Sequence, residues 1–274
     1  MDTSIRIATA ILPLLYAVTT TAYALVFFRD DQRARGWTFP MVIGTLIFHF
    51  GYLILLTVRW SQFPVATVSQ ALSAVAFAVA LVYIFVERMG REPSTGFWML
   101  APATIFEILS ALMRTDNPPD NELFHSPLFA AHTGLALLGY AAFVIAAGYG
   151  FLFLRLYHEL KLRRFSLFFD RLPPLEVLER MMIGALSAGF TGLMGAVIFG
   201  SIWAFQTYDE PWQTDPKIIG TLSILLFYGV SLMMRRMNRW HGRQMAIAAL
   251  TGVAAIMFSM IAVNLFFTEL HDFF

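Results

Sequence analysis

Histidines are the side chains in this sequence best suited to bind a metal, and it contains six: His49, His125, His132, His158, His241 and His271. His125 and His132 lie at the start of one long apolar segment, and His271 lies just beyond the end of another. A neutral imidazole is a common ligand of iron, zinc and copper. Two imidazoles at the ends of different helices could therefore bind one iron atom from its two faces, or both could be ordinary residues of a membrane interface.

The segment 201–217 is a second candidate for ligand binding. It joins two long apolar segments and is rich in aromatic and acidic side chains, which are Trp203, Tyr208, Asp209, Glu210, Trp212 and Asp215. Aromatic side chains are enriched at a membrane–water boundary, where their rings span apolar and wet surroundings. The segment could therefore be an ordinary interfacial loop. It could also be a platform on which a flat, partly charged ligand lies.

Two ionisable side chains, His49 and Glu107, lie within apolar segments. An ionisable group inside the bilayer is costly, and such groups are functional candidates by default. His49 could contact a cofactor or mark a second site, or a neighbouring helix could satisfy it. Glu107 could be held neutral, could pair with a basic group or a histidine, or could take part in a proton relay.

The elements that must position these side chains are membrane helices. Of the 274 residues, 58% are apolar and 14% are charged, and the mean hydropathy is +0.66. A soluble domain is usually about 45–50% apolar and about 25% charged. The composition therefore predicts an all-α integral membrane protein. The lack of cysteine excludes disulfides and thiolate metal sites, and the net charge of +1 gives no indication of nucleic-acid binding.

A helix needs about 20 apolar residues to cross the roughly 30 Å hydrocarbon core of a bilayer. Eight segments qualify, at approximately 7–28, 38–58, 65–86, 97–113, 128–156, 181–205, 217–234 and 244–267. The first is too long for the apolar part of a signal peptide, so we expect it to be retained as a span. The eight spans predict one polytopic helix bundle over residues 1–274, without a separate soluble domain.

Basic residues predict the orientation of the bundle, because Lys and Arg are retained on the cytoplasmic side. The connections after the first, third, fifth and seventh spans, with their flanks, hold 15 of the 19 Lys and Arg residues. We therefore expect both termini to be extracytoplasmic. On this topology His125, His132 and His271 share the outer face with the segment 201–217.

Two patterns concern the sixth span and the connection before it. Residues 157–172 mix Leu and Phe with Lys and Arg, which predicts a helix lying in the membrane interface. The sixth span carries small residues at three- and four-residue spacing from Gly184 to Gly200. Such spacing lets neighbouring helices approach closely, and a groove for a ligand would produce the same pattern.

Several motifs in the second half of the chain resemble the cytochrome c assembly proteins, the group that includes CcsA, CcmC and HemX. The matching segments are 132–143 (HTGLALLGYAAF), 146–150 (AAGYG), 172–176 (LPPLE), 212–217 (WQTDPK), 242–243 (GR), 263–264 (VN) and 270–271 (LH). The resemblance is strongest over residues 125–274. The first half is similar only in its pattern of spans and in His49.

The resemblance implies a haem-handling protein of the bacterial inner membrane. In that family outer histidines are the axial ligands of haem b at the outer surface, beneath a tryptophan-rich loop. Carried over by motif, this assigns the ligands to His132 and His271 and the covering loop to Trp203, Trp212 and Asp215. The chain would present haem to apocytochrome c, together with a second assembly subunit. We find no nucleophile or acid–base set, so its chemistry would be coordination rather than covalent catalysis.

The sequence departs from the family motif at three positions. Thr214 stands where a tryptophan is usual, Ile218 stands where a glutamate is usual, and Met233 lies near the position of a membrane histidine found in some members. These departures resemble the HemX/YpjD branch. The alternative function is thus a regulator or scaffold of haem synthesis whose basic segment 155–180 contacts a soluble partner. A third function, solute transport, would require an inverted repeat that we do not detect, and His125 remains an alternative to His132 as the outer ligand.

Overall fold

The computed structural model describes residues 2–115, 118–120, 122–163, 166–207 and 216–266. These residues form helices and no strands. The α-helices are α1 (Asp2–Arg29), α2 (Gln32–Trp60), α3 (Val68–Gly90), α4 (Gly96–Leu112), α5 (Pro127–Leu162), α6 (Leu167–Arg171), α7 (Leu175–Thr207), α8 (Pro216–Arg236) and α9 (Gly242–Phe266). Short 3-10 helices, Pro93–Thr95 and Glu122–His125, precede α4 and α5.

Eight of these helices are long and apolar enough to cross a membrane, which confirms the predicted all-α bundle of eight spans. Several extend beyond the predicted bounds: α5 continues to Leu162, and α7 begins at Leu175. The hydropathy pattern marks only the part of a helix that lies in hydrocarbon, whereas the helix continues through the polar interface. The orientation of the bundle, with both termini outside, stays a prediction.

Contacts near the helix ends show that α1 runs antiparallel to α2 and that α7 runs antiparallel to α8. Arg59 near the end of α2 donates to Asp2 at the start of α1 over 2.8 Å, and Arg235 near the end of α8 pairs with Glu179 near the start of α7 at 3.0 Å. We call one end of the bundle the histidine end. Helices α3 and α5 begin there, and helices α2, α4 and α7 finish there. The opposite end, at which α2 and α7 begin, is the basic end.

The start of α5 is defined by local signals. Ser126 adopts an extended conformation and accepts a hydrogen bond from the backbone N–H of Phe129, and Pro127 occupies the first helical position. Serine caps an unpaired N–H group there, and proline is tolerated because its missing N–H has no helical partner. These signals fix which turn of α5 carries His132.

Helices α5 and α7 approach each other backbone to backbone. A Cβ atom added at Gly139 would lie 2.8 Å from the backbone nitrogen of Leu193, and one added at Gly192 would lie 3.2 Å from the Cα atom of Gly139. Small residues permit this approach between membrane helices. The predicted small-residue pattern of α7 therefore serves helix packing. Part of the same pattern, around Gly184, also borders an apolar groove of about 970 Å³ between α3 and α7.

The segment predicted as an interfacial helix over 157–172 has a different structure. Helix α5 continues through its first half, and only the short α6 follows. The ring of Phe168 in α6 packs against Phe27 and Trp98, and Arg171 pairs with Asp30 in the turn between α1 and α2 at 3.0 Å. The segment thus packs against the basic end of the bundle.

We expect Gly139→Ala to lower the thermal stability of the protein in detergent, because the added methyl group would force α5 away from α7. Gly44→Ala in α2 is the matched control, since no atom lies within 4 Å of its added Cβ, and alanine is at least as good a helix former as glycine. Thermal unfolding followed by circular dichroism measures both. Equal melting temperatures for the two variants would contradict the backbone contact.

Candidate functional site

His132 lies in the second turn of α5 with its imidazole held by α7. Its Nδ1 atom is 2.8 Å from the carbonyl oxygen of Ala196. A carbonyl oxygen only accepts hydrogen bonds, so Nδ1 carries the proton and the neutral ring keeps a lone pair on Nε2. Among the described residues Nε2 has no hydrogen-bond partner, and the side chain is only half-buried. Metal-binding histidines typically have this arrangement, in which a hydrogen bond from one nitrogen orients the other.

Gly200 creates the space that the imidazole of His132 occupies. A Cβ atom at position 200 would lie 2.8 Å from the Cε1 atom and 3.2 Å from the Cγ atom of His132. Any larger residue would therefore push the ring away from the carbonyl of Ala196. The last small residue of the α7 pattern thus positions the imidazole, a role that the spacing alone did not separate from helix packing.

His125 lies near His132 in the chain but is bonded differently. Its Nδ1 atom is 2.7 Å from the carbonyl oxygen of Ser61, and its Nε2 atom is 2.8 Å from Oδ1 of Asp120. Both partners only accept, so the arrangement is best satisfied by a doubly protonated ring without a lone pair. The hydrogen bond to Asp120, followed by the one to Ser61, raises the pKa of His125 above its ordinary value. Between the two histidines left open by the sequence, the geometry favours His132 as a metal ligand.

Trp203 lies in the last two turns of α7 rather than in an irregular loop, because α7 continues to Thr207. Its ring is buried and meets the ring of Phe129 at a centroid distance of 5.3 Å. Phe129 lies three residues before His132 in α5. Trp203 lies three residues after Gly200 in α7. Their contact therefore fixes the register of α5 against α7 about one turn from the His132 imidazole.

The other predicted site residues on the outer face lie outside the described residues. Trp212 and Asp215 belong to the segment 208–215, which lies between α7 and α8 in the sequence, and His271 follows α9, whose described part ends at Phe266. Their assignment to the covering loop and to the second ligand stays a prediction.

His49, the remaining candidate, is completely buried. Its Nδ1 atom is 2.9 Å from the hydroxyl of Tyr16, and its Nε2 atom is 2.9 Å from the hydroxyl of Ser73. Both ring nitrogens are engaged, which leaves neither for a metal. Sequence reasoning identified His49 as a candidate but did not detect Tyr16 or Ser73, because a hydroxyl on an apolar helix carries no distinctive pattern.

The described residues contain no group of three or more His, Cys, Asp or Glu side chains that could hold a metal ion. A bare ion such as zinc needs about four protein ligands in a structural site, so the described part of the chain does not offer one. A haem brings four equatorial nitrogens of its own and needs only axial ligands from the protein. The single free imidazole nitrogen of His132 fits that requirement.

Comparison with known proteins identifies similar chains. Residues 12–271 match the family model described as Cytochrome C assembly protein. The cytochrome c biogenesis protein CcsA of Prochlorococcus marinus (strain NATL1A) is 26% identical over 300 residues, covering 96% of this chain and 92% of that protein. Protein HemX of Bacillus subtilis (strain 168) is 23% identical over 257 residues, covering 90% of each. CcsA of Synechococcus sp. (strain CC9902) is 26% identical over 250 residues, covering 80% and 81%.

The raised pKa of His125 leads to a pH-dependent prediction. A group whose pKa is raised by folding stabilises the folded state below its unfolded pKa, and this contribution is lost as the pH rises through its folded pKa. We expect Asp120→Asn to lower the pKa of His125 towards its ordinary value, measured by NMR titration of the ring. Glu122→Gln is the control, because Glu122 is a minor contributor. An unchanged titration in Asp120→Asn would contradict the hydrogen-bond geometry.

Proposed function

This chain belongs to the cytochrome C assembly protein family, and we propose that it binds haem at the histidine end of its bundle and presents it for attachment to apocytochrome c. The observation that carries the proposal is the imidazole of His132. Its Nδ1 atom bonds to the carbonyl of Ala196, and its Nε2 atom has no partner among the described residues. This is the orientation that an axial ligand of haem requires.

His271 is the second axial ligand in this proposal. It follows α9, which runs from the basic end towards the histidine end, so the connectivity of the bundle is compatible with a pair of ligands from α5 and the end of the chain. Trp212 and Asp215 would cover the ligand from the segment between α7 and α8. Trp203 would act as a positioning residue, because its packing against Phe129 holds α7 in register with His132.

The chemical role of the protein residues is to hold and orient haem. Bound haem would supply the coordination chemistry of its iron and would itself be the group presented to apocytochrome c. His132 would hold the haem iron, and Gly200 and the carbonyl of Ala196 would orient its ring. We further propose that the protein lies in a bacterial inner membrane with the histidine end on the periplasmic side, where a second assembly subunit and apocytochrome c would meet it.

The alternative is a regulator or scaffold of haem synthesis, which the similarity to HemX keeps in consideration. That role would rest on the basic segment 155–180 contacting a soluble partner. In this segment Arg155 pairs with Glu159 at 3.1 Å, and Arg171 pairs with Asp30 at 3.0 Å. These two of the segment's basic side chains are paired within the chain. We favour haem binding because of the orientation of the His132 imidazole.

Purified protein should show the absorption spectrum of a haem with two histidine ligands. We expect His132→Ala and His271→Ala each to abolish that spectrum, because each removes one axial bond, and added imidazole should partly restore it. His125→Ala is the matched control and should keep the spectrum, since both ring nitrogens of His125 are engaged elsewhere. A preparation that lacks haem and cannot be reconstituted would refute the proposal, as would an unchanged spectrum in His132→Ala.

The close approach of Gly200 to the His132 ring yields a second test. We expect Gly200→Ala to weaken haem binding by about 10- to 100-fold, the usual effect of disturbing the support of a metal ligand. Gly195→Ala is the matched control on the same helix, because its added Cβ would meet only the flexible end of Leu135 at 3.1 Å. Haem titration followed by absorbance measures both affinities. Equal affinities for the two variants would show that Gly200 does not position the ligand.

A further inference from the structure

Four buried polar side chains form a continuous hydrogen-bonded chain in the interior of the first four helices. Tyr16 of α1 bonds to Nδ1 of His49 of α2 over 2.9 Å, and Nε2 of His49 bonds to Ser73 of α3 over 2.9 Å. The hydroxyl of Ser73 donates to Oε2 of Glu107 of α4 over 3.0 Å. Each helix contributes one member, and none of the four is more than 2% exposed.

When Glu107 is ionised, each hydrogen bond in this chain is donated in the direction from Tyr16 towards Glu107. The carboxylate only accepts, so Ser73 donates to it and uses its oxygen to accept from Nε2–H of His49. Nδ1 of the neutral ring then lacks a proton and accepts from the hydroxyl of Tyr16. Every hydrogen bond in the chain is satisfied in this arrangement.

Adding one proton to Glu107 reverses the direction of the whole chain. The neutral carboxyl group donates to Ser73, whose hydroxyl proton turns to Nε2 of His49. The transfer balances when the extra proton enters at the oxygen of Tyr16: the hydroxyl proton of Tyr16 passes to Nδ1 of His49, the Nε2 proton passes to Ser73, and the hydroxyl proton of Ser73 passes to Glu107. The ring stays neutral with its proton on Nδ1, which donates to the oxygen of Tyr16. The two arrangements use the same heavy-atom contacts and differ by one proton, by the tautomer of His49 and by the direction of two hydroxyl groups.

The surroundings of the chain do not provide a fixed cation for Glu107. The other titratable group that faces it is Tyr52 of α2, whose ring centroid is 6.2 Å from that of His49. Phe77 of α3 packs against His49 at 5.2 Å. The structure pairs Glu107 with no Lys or Arg of the described chain; its one ion-pair contact is the 3.9 Å approach to Nε2 of His49. A carboxylate that is neither exposed nor paired with a permanent cation is costly in a membrane.

We propose that Tyr16, His49, Ser73 and Glu107 form a proton relay within the membrane, in which Glu107 holds one exchangeable proton and the tautomer of His49 transmits its presence to Tyr16. The ligand of this site is a proton. The site lies on helices α1 to α4 and is independent of the haem proposed at His132, because neither ring nitrogen of His49 is available to a metal.

Hydroxyl pairs continue from the relay towards the basic end. Thr19 of α1 bonds to Thr45 of α2 over 2.9 Å, and Thr20 of α1 bonds to Thr104 of α4 over 2.7 Å. These pairs lie about one helical turn, or roughly 5.4 Å, from the relay residues on the same helices. Their hydroxyl groups can donate and accept hydrogen bonds along the path of a proton, which apolar side chains cannot do.

A cavity lies beyond these pairs at the basic end. The hydroxyl of Tyr23 of α1, about one turn beyond Thr20, donates to Oε2 of Glu87 over 2.5 Å. Glu87 lines a cavity of about 440 Å³ together with Arg35, Thr38 and Arg88. This cavity is the entry to the relay in our proposal, and protons would reach Glu107 from it.

The tautomer of His49 provides a direct test in the full-length protein. Protein labelled with 15N-histidine would be placed in lipid nanodiscs, and the ring signals of His49 would be identified by their loss in His49→Gln. We expect the Nε2–H tautomer at high pH and the Nδ1–H tautomer at low pH, at a pH range in which circular dichroism detects no loss of helix. Glu107→Gln should hold His49 in one tautomer at every pH.

Two serine variants on α3 separate the relay from a general effect of buried polar groups. Ser73→Ala should uncouple His49 from Glu107 and abolish the pH-dependent change of tautomer. Ser69→Ala is the matched control and should keep it, because Ser69 lies one turn away and bonds only to Ser110. The proposal is overturned if His49 in the unsubstituted protein keeps one tautomer at all pH values or becomes doubly protonated. It is also overturned if the change of tautomer survives in Glu107→Gln or Ser73→Ala.

Discussion

The close approach of α5 and α7 is the constraint on which the candidate site depends. Gly139 and Gly192 bring the two backbones into contact, and this contact brings the carbonyl of Ala196 to within 2.8 Å of His132. The helical carbonyl accepts the Nδ1 proton and leaves Nε2 as the basic nitrogen of the ring. Gly200 then leaves room for the ring itself. A wider separation of the helices would free the imidazole to rotate, and an axial ligand without a fixed direction binds metal less tightly.

The two halves of the bundle hold their polar groups in different ways. In the first four helices the polar side chains from Tyr16 to Glu107 are paired with one another in one buried network. In the second half His132 keeps one nitrogen unpaired among the described residues and remains half-buried. An unpaired acceptor near the end of a membrane bundle suits a ligand that arrives from outside. A closed network suits an ion as small as a proton, which needs no cavity of its own.

Predictions from the sequence succeeded where a single segment carries the information. Eight spans were predicted because a bilayer requires about 20 apolar residues in each, and the part of the chain that the structure describes contains eight such helices. His132 was predicted as a ligand by its position and by motif; that role stays a prediction, and the structure shows that its Nδ1 atom bonds to the carbonyl of Ala196. Prediction was less complete for His49 and Glu107, which stood out separately as ionisable residues. Their connection runs through Ser73 and Tyr16, whose hydroxyl groups have no signature in an apolar helix.

The sequence by itself therefore determined the class of protein, the number of spans and which histidines were candidates for a metal ligand, because hydropathy and residue type are local properties. Only the tertiary structure decided whether His125 or His132 keeps a free nitrogen. His125 and His132 lie seven residues apart. His125 bonds to the carbonyl of Ser61, 64 residues earlier in the chain, whereas His132 bonds to the carbonyl of Ala196, 64 residues later. The second partner of His125, Asp120, then occupies its remaining nitrogen. Such partners are set by helix packing, which depends on contacts between distant parts of the chain.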